Sequence, residues 1–487
     1  MDELAQARVE LSLLEKQERE LVKALCDVRH AAEAQRTKIK ELVEQLPAPI
    51  DRLPNELFLL IIDLAIHATL DDPRSYNWKT DELMRVSRHW RNTILHCPIL
   101  WNTIVIAPSS NALQLKAHVE RSWPSLVDIK IDDLWSYLGI IDLFDVTASC
   151  ADRWRSLSIS VNPENIRLAL FRSIRHLMLP SLVRVSMEVP AFLDGKSVNP
   201  QFLTPGNSPF LEYLEISGDF MFSGLPILSS LKELRIHLPS HASSTSSAFL
   251  EQLSLYPRLS TLTISGDDQT LKRLRPNCIR LLSLVKLICT VSNANYLLHA
   301  IVAPTLTHFE YTIKEYGKTD GDILFAGLDS KFTSVRHLVL NTHLWQFKKF
   351  VWSAFPNLRH VELNRSDADI VFQSNFPSIA WQHLECLYIN GGRDLYGTDG
   401  VHSDGPPFFL DGLVNWLQQR RGTGQSMLRI KIFSFSGDVN GISKIHDALH
   451  GLSVLEWGDY IFNVSIEISG TSTTPWLVCD YLYTVSC

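Results

Sequence analysis

Three hydrophobic rhythms succeed one another along this chain. From Leu4 to Leu46 apolar residues recur alternately three and four positions apart. With Leu4 at heptad position a, position a also takes Leu11, Glu18, Leu25, Ala32, Ile39 and Leu46. Position d takes Ala7, Leu14, Leu21, Val28, Gln35 and Leu42. Eleven of these thirteen seam positions are apolar, and no Gly or Pro precedes Pro47. The spacing predicts one long helix with a coiled-coil seam, at ~1.5 Å per residue about 65 Å long. Two placements stay open: a helix folded back onto the body of the chain, or an arm for self-association. In the second, Glu18 and Gln35 would bias register or partner choice at some cost in stability.

Pro47, Pro49 and Pro54 end this helix. Pro54 then suits the first position of a new one, and Glu56 complements its dipole. Leu57, Leu60, Ile61, Leu64 and Ala65 repeat at helical spacing on one face, and Phe58 and Ile62 add a second apolar stripe. A short helix apolar on two sides needs more cover than its own small bundle supplies. Asp72-Pro73 breaks the pattern. A further helix is predicted with Leu83, Val86, Trp90 and Ile94 on one face, ended by Pro98. Leu100-Trp101 then leads into a first strand, Thr103–Ile106.

The third rhythm is a weak repeat, apolar-x-x-apolar-x-apolar. Its clearest copies start at Leu211, Leu231 and Leu259, with others at Leu126, Trp154, Leu182, Leu284, Leu306, Val335, Leu358 and Leu384. Successive copies start 20 to 29 residues apart, the period of leucine-rich repeats. The last apolar-x-apolar of each copy is a short strand whose alternate side chains point into a shared core. The expected fold class is therefore an α/β repeat: a leucine-rich-repeat solenoid over 107–487, preceded by a small helical module over 47–106 and a coiled-coil helix over 1–46. The residues beside the inward positions face a concave sheet. Among them, Tyr213, Glu215, Arg235, Glu310, Glu362 and Tyr388 are candidates for binding a protein or peptide, since they mix both charge signs with aromatic surface. The gap from Leu384 to the next copy near Ile430 holds Gly391–Pro407, read as an exposed loop. Pro190–Pro209 reads as another insertion. Leu452-x-x-Leu455-x-Trp457 is the last copy, and Trp476, Tyr481 and Tyr483 belong to a capping segment.

The middle zone has a family signature. Leu53-Pro54-x-Glu56-Leu57, then Ile61 and Leu64, then Leu83, Val86-Ser87-x-x-Trp90-Arg91 and Leu100-Trp101 together resemble the F-box. The likeness covers roughly 55 residues and rests on the ordered combination, each piece being common alone. Ala68–Asp81 is longer than the usual connection and reads as a surface insertion of the kind seen in fungal F-box-like sequences. The resemblance implies a module that docks on a Skp-type adaptor and, through it, on a cullin. Leu53, Pro54, Leu57 and Ile61 would lie at or near that interface. Trp90 and Trp101 would serve partly the interface and partly the module's own core, while Val86 and Leu64 read as core packing. The implied function is substrate recognition for an SCF-type ubiquitin ligase, which asks no chemistry of this chain. The alternative is a coiled-coil and repeat scaffold with no ligase role.

Composition changes this picture little. Of 487 residues 45% are hydrophobic and 20% charged, the net charge is −7, and no Lys/Arg run exceeds two. That speaks against nucleic acid as a partner. The eight cysteines contain no C-x-x-C pair and read as reduced thiols. MDELAQARVE reads as helix, not as a secretion signal. The most apolar stretches, Leu57–Ile66 and Leu281–Val291, are too short to span a bilayer and are broken by Asp63 and Lys286. The expectation is a cytoplasmic or nuclear protein without membrane contact. His308, His337 and His360 share one repeat position, followed by Cys386 in the next copy. Such ligands suit zinc, but a tolerated polar pair before each strand is the preferred reading, so no metal is expected. Gly397-Thr398-Asp399-Gly400 lacks the closing Glu of a calcium loop, and Arg421–Gln425 lacks the Lys and spacing of a phosphate loop. No hydrolase, zincin or kinase motif is present. No cofactor and no enzymatic activity are expected.

Overall fold

The computed structural model describes residues 2–45, 50, 53–67, 73–107, 110–133, 139–161, 164–189, 203–218, 228–238, 250–313, 325–342, 351–372, 381–390, 409–425, 427–433 and 448–457. The Gly391–Pro407 loop, most of the Pro190–Pro209 insertion and the Trp476–Tyr483 cap lie outside these residues. The chain divides into two units, Met1–Trp101 and Asn102–Cys487. The division falls after Trp101 rather than after Ile106, because the strand Thr103–Ile106 pairs with the sheet of the second unit.

The first unit is helical. Helix α1 spans Asp2–Gln45 without a break, as the heptads predict. Its described side chains between residues 3 and 42 are all exposed. Helix α2 (Asn55–His67) starts directly after Pro54, with Glu56 in its first turn. Helices α3 (Pro73–Val86) and α4 (Arg88–Leu95) follow. Most of the expected insertion is helical: Pro73–Asp81 builds the first part of α3, with Pro73 at the position where its missing N–H costs nothing. One expectation changes here. The single helix expected from Leu83 to Ile94 is two. Ser87 is extended (φ −156°, ψ 168°), and its hydroxyl accepts the Trp90 N–H at 3.1 Å. It thus caps α4 and ends α3. Phe58 of α2 is fixed against this corner, 5.4 Å from the His89 ring in a stack and 5.0 Å from Trp90 edge-on. The buried Trp101 indole donates to the Ile94 carbonyl at 2.9 Å and closes the unit.

The second unit is one parallel sheet of 14 strands in chain order. Its strands are β1 (Thr103–Ile106), β2 (Val127–Asp133), β3 (Trp154–Val161), β4 (Arg184–Val189), β5 (Tyr213–Gly218), β6 (Glu233–Leu238) and β7 (Thr261–Gly266). Then come β9 (Lys286–Val291), β11 (His308–Thr312), β12 (His337–Asn341), β13 (His360–Asn364), β14 (Cys386–Asn390), β15 (Leu428–Phe433) and β16 (Ser453–Trp457). Two short strands, β8 (Ile279–Arg280) and β10 (Ile301–Val302), pair separately. Every predicted repeat copy falls on a strand.

The leucine-rich-repeat solenoid is nevertheless corrected: the architecture is an α/β fold built on this one large parallel sheet. A solenoid of that kind repeats its return segment as well as its strand, and here the returns differ in kind. Helices α5 (Ala112–Arg121), α6 (Ile140–Ala148) and α7 (Glu164–Arg175) follow the first three strands. Between β6 and β7 the described return is a helix end over 250–252 running into one turn of 3-10 helix (Leu253–Leu255), and the β8/β10 pair brackets β9. Further helices are α8 (Asn295–Ala300), α9 (Val351–Ala354), α10 (Arg365–Phe372) and α11 (Phe409–Gly422). The apolar-x-x-apolar-x-apolar pattern specifies a strand buried on one face, and any stack of parallel strands satisfies it.

The inward side chains of all these strands, with those of the returns, form one core running from Ile104 to Leu449. Two buried arginines tie returns to it. Arg153 donates to the carbonyls of Ser125 (2.8 Å) and Val119 (3.1 Å), holding the end of α5. Arg420 donates to the carbonyls of Trp381 (3.0 Å) and Leu384 (2.6 Å), tying α11 to the turn before β14. Such charge-assisted bonds satisfy backbone groups that would otherwise be buried without a partner. Gly412 is required where it stands, because a Cβ there would collide with the Phe372 carbonyl of α10.

Candidate functional site

The helical unit separates the two apolar stripes of α2. Phe58, Ile62 and Ile66 are at most 1% exposed, whereas Leu57, Leu60, Ile61 and Leu64 are 50%, 53%, 42% and 60% exposed. Both stripes carry similar side chains, so hydrophobicity alone does not decide which turns inward. The aromatic corner of His89 and Trp90 accepts Phe58, and the rotation of the helix follows. The open stripe amounts to roughly 400 Å² of apolar surface, the scale of the largest patches that monomers leave open and that often mark binding sites.

Of the residues expected at an adaptor interface, Leu57 and Ile61 lie on this open stripe. Pro54 is exposed at its N-terminal end and Leu53 is half-buried beside it. Trp90 is half-buried and Trp101 is sealed in the core. Trp101 therefore cannot touch a partner directly; its indole holds the end of α4 through the Ile94 carbonyl. Leu64 and Val86, expected as core, are 60% and 59% exposed. Leu64 belongs to the open stripe. Val86 ends α3 beside the Ser87 cap, and this turns its side chain away from the packing expected for a continuous helix. Leu60 completes the stripe, and its i, i+3, i+4 spacing with Leu57, Ile61 and Leu64 is the signal that marks it.

In the sheet unit the candidate residues all lie on the face opposite the core, in adjoining rows. The register aligns Ser186, Glu215, Arg235, Thr263, Ile288, Glu310, Val339, Glu362, Tyr388 and Lys431 along one row across ten strands. Tyr213 stands in the next row, aligned with Arg184. Two clusters result. In the first, the Tyr213 ring lies 4.4 Å from the Arg184 guanidinium and 5.3 Å from that of Arg235. Its hydroxyl donates to Glu215 at 2.8 Å, and Ser186 donates to the same carboxylate at 3.1 Å. Burial, then the Glu215 carboxylate, pushes the Tyr213 phenol up to about 12. In the second, Glu362 stands between Val339 and Tyr388, and Lys431 lies 5.9 Å from the Tyr388 ring. The neighbouring His308 holds Glu310 below the usual carboxylate range, while burial and then Glu310 raise Glu362. Arg235 and Glu310 are three strand steps apart, about 14 Å at ~4.8 Å per step. The fold thus brings Tyr213, Glu215 and Arg235 together, and Glu362 with Tyr388, but keeps the two clusters distinct. Arg184, Ser186 and Lys431 were not singled out from the sequence; their place before or between a strand's two inward apolar residues is the signal that could have found them.

The histidine column is real in register: His308, His337, His360 and Cys386 align on four neighbouring strands. The rings pack on one another, with centroids 4.5 Å and 5.8 Å apart. Burial, then the flanking His308 and His360, lowers the His337 pKa to about 4. Among the described residues no His, Cys, Asp or Glu group could hold a metal ion. Nor is any described helix long and apolar enough to cross a membrane.

No protein-family model matches this chain, and no curated protein matches it significantly. The functional reading therefore rests on the surfaces described above.

Proposed function

We propose that this chain is the substrate-recognition subunit of an SCF-type cullin ubiquitin ligase, acting in the cytoplasm or nucleus and without chemistry of its own. The observation that carries the reading is the open stripe of α2. Four large apolar side chains remain in water directly after the Leu53-Pro54 turn, on the helix where an F-box would meet a Skp-type adaptor. A second, sealed stripe holds that helix in a fixed rotation, so the stripe is presented preformed and little order is lost on docking. The charged and aromatic rows of the sheet supply a surface for a protein cargo, with Tyr388 as a rigid anchor, charges of both signs around it, and the buried Tyr213 holding Arg184, Glu215 and Arg235 in place. Catalysis would then be proximity: cargo held on one surface stands near the ubiquitin-charged enzyme recruited through the other.

The test is co-purification with a Skp-type adaptor, comparing the wild type with Leu57→Ala plus Ile61→Ala and with Leu53→Ala plus Pro54→Ala. Wild type is expected to bind. The α2 pair is expected to lose at least tenfold in affinity, because truncation of a central interface anchor costs ~1–2 kcal/mol or more. Undiminished binding by both double variants removes the interface. A wild type that does not bind leaves a scaffold with no ligase role.

A further inference from the structure

The open face of α1 has a different chemistry from that of α2, and it points to a different occupant. Its seam residues Leu4, Leu11, Leu14, Leu21, Leu25, Val28, Ile39 and Leu42 are each 51% to 70% exposed. Together they hold about 900 Å² of apolar surface per copy, so two such helices would bury roughly 1,800 Å², the area of a stable protein interface. We propose that α1 pairs with α1 of a second copy of this chain as an antiparallel coiled coil.

Charge sets the direction. Residues 2–20 hold six acids and three bases, net −3, and residues 21–40 hold five bases and two acids, net +3. An antiparallel pair lays each acidic half along the other's basic half. The heptad makes this specific. Aligning Leu4 with Leu42 of the second copy matches every a position from Leu4 to Ile39 with a d position. In antiparallel coils g faces g and e faces e. Glu10 (g) then meets Lys38, and Glu15 (e) meets Arg29, each contact occurring twice by symmetry. Arg8 against Arg36 is the opposing pair. A parallel pair would instead set Glu10 (g) against Glu15 (e), also twice, with Glu3 against Arg8 as its only attraction.

The seam agrees with the charges. In a parallel pair Glu18 faces Glu18 at a core layer, where two carboxylates out of water repel strongly. In the antiparallel pair Glu18 meets Val28, and Arg29 lies one residue further on. Large and small residues also interleave: Ala7 meets Ile39, and Leu14 meets Ala32. The parallel pair would stack alanine on alanine at two of those layers and leave them underpacked.

The experiment uses the full chain carrying Cys26→Ser, so that the exposed cysteine of α1 is absent. Sedimentation should show a dimer at micromolar concentration. Leu21→Asp plus Leu25→Asp should yield a monomer whose circular dichroism otherwise matches the parent, since both residues are exposed. Orientation is read by oxidation. Neither Leu4→Cys alone nor Leu42→Cys alone should form a crosslinked dimer, while an equal mixture of the two should. A parent that stays monomeric at tens of micromolar overturns the proposal. Efficient self-crosslinking of Leu4→Cys, with none gained on mixing, overturns the antiparallel assignment.

Discussion

The two units treat apolar side chains in opposite ways. Of the large hydrophobic residues left exposed among the described ones, seventeen precede Asn102 and ten follow it, although the second unit is far the longer. The sheet unit closes one core through every strand, and its exposed apolar residues are scattered. The helical unit keeps most of its exposed residues in two ordered stripes, one on α1 and one on α2. The sheet unit closes its apolar residues within itself, whereas the described residues of the helical unit leave apolar surface open. Apolar residues of one type therefore mean different things in the two units, and substitution separates them.

The sharpest contrast is between Leu338 and Leu60. Leu338 is fully buried on β12, and Leu338→Ala should cost about 2–5 kcal/mol in chemical denaturation. Leu60→Ala should change stability by no more than about 0.5 kcal/mol. Equal losses would mean that α2 is covered within the chain. Acid should act on the sheet unit next. His118 of α5 is 4% exposed, and burial, then Arg121, lowers its pKa from 6.5 to about 4. A folded-state pKa below the unfolded one means that the unfolded chain binds the proton first. Stability is then intact above about pH 6.5 and declines as pH falls toward 4, by on the order of 3 kcal/mol in all. Denaturation midpoints measured from pH 7.5 to 4 should fall in this direction, with His337 adding to the slope, and His118→Asn should make it shallower. The smallest effect belongs to the helical unit. Ser87→Ala removes the cap of α4 and should cost about 1 kcal/mol, and Ser87→Asp should restore it. An unchanged melting temperature in Ser87→Ala would mean that the break between α3 and α4 is held by packing alone.

Part of the candidate site was legible in advance. Leu57 and Ile61 were expected at a surface from the resemblance to the F-box, and Tyr213, Glu215 and Arg235 from their places beside inward strand positions. Trp101 was misjudged because a tryptophan in a short motif serves equally well as an anchor or as a core filler, and only its bond to the Ile94 carbonyl separates these. Leu64 and Val86 were misjudged in the other direction. Their exposure follows from how α2 is rotated and from where Ser87 interrupts the helix, and neither is a property of the residue itself.

The sequence by itself determined the elements. Heptad spacing made α1 a single helix, Pro54 started α2, and the alternation in each repeat copy placed a strand, because these patterns act through sterics and hydrogen bonds within a few residues. Tertiary structure decided what those elements join. It chose which stripe of α2 is sealed, set three histidines in contact, and gathered copies with unlike returns into one sheet. Those outcomes depend on partners distant in the chain, and a local pattern of polar and apolar positions constrains such partners only weakly.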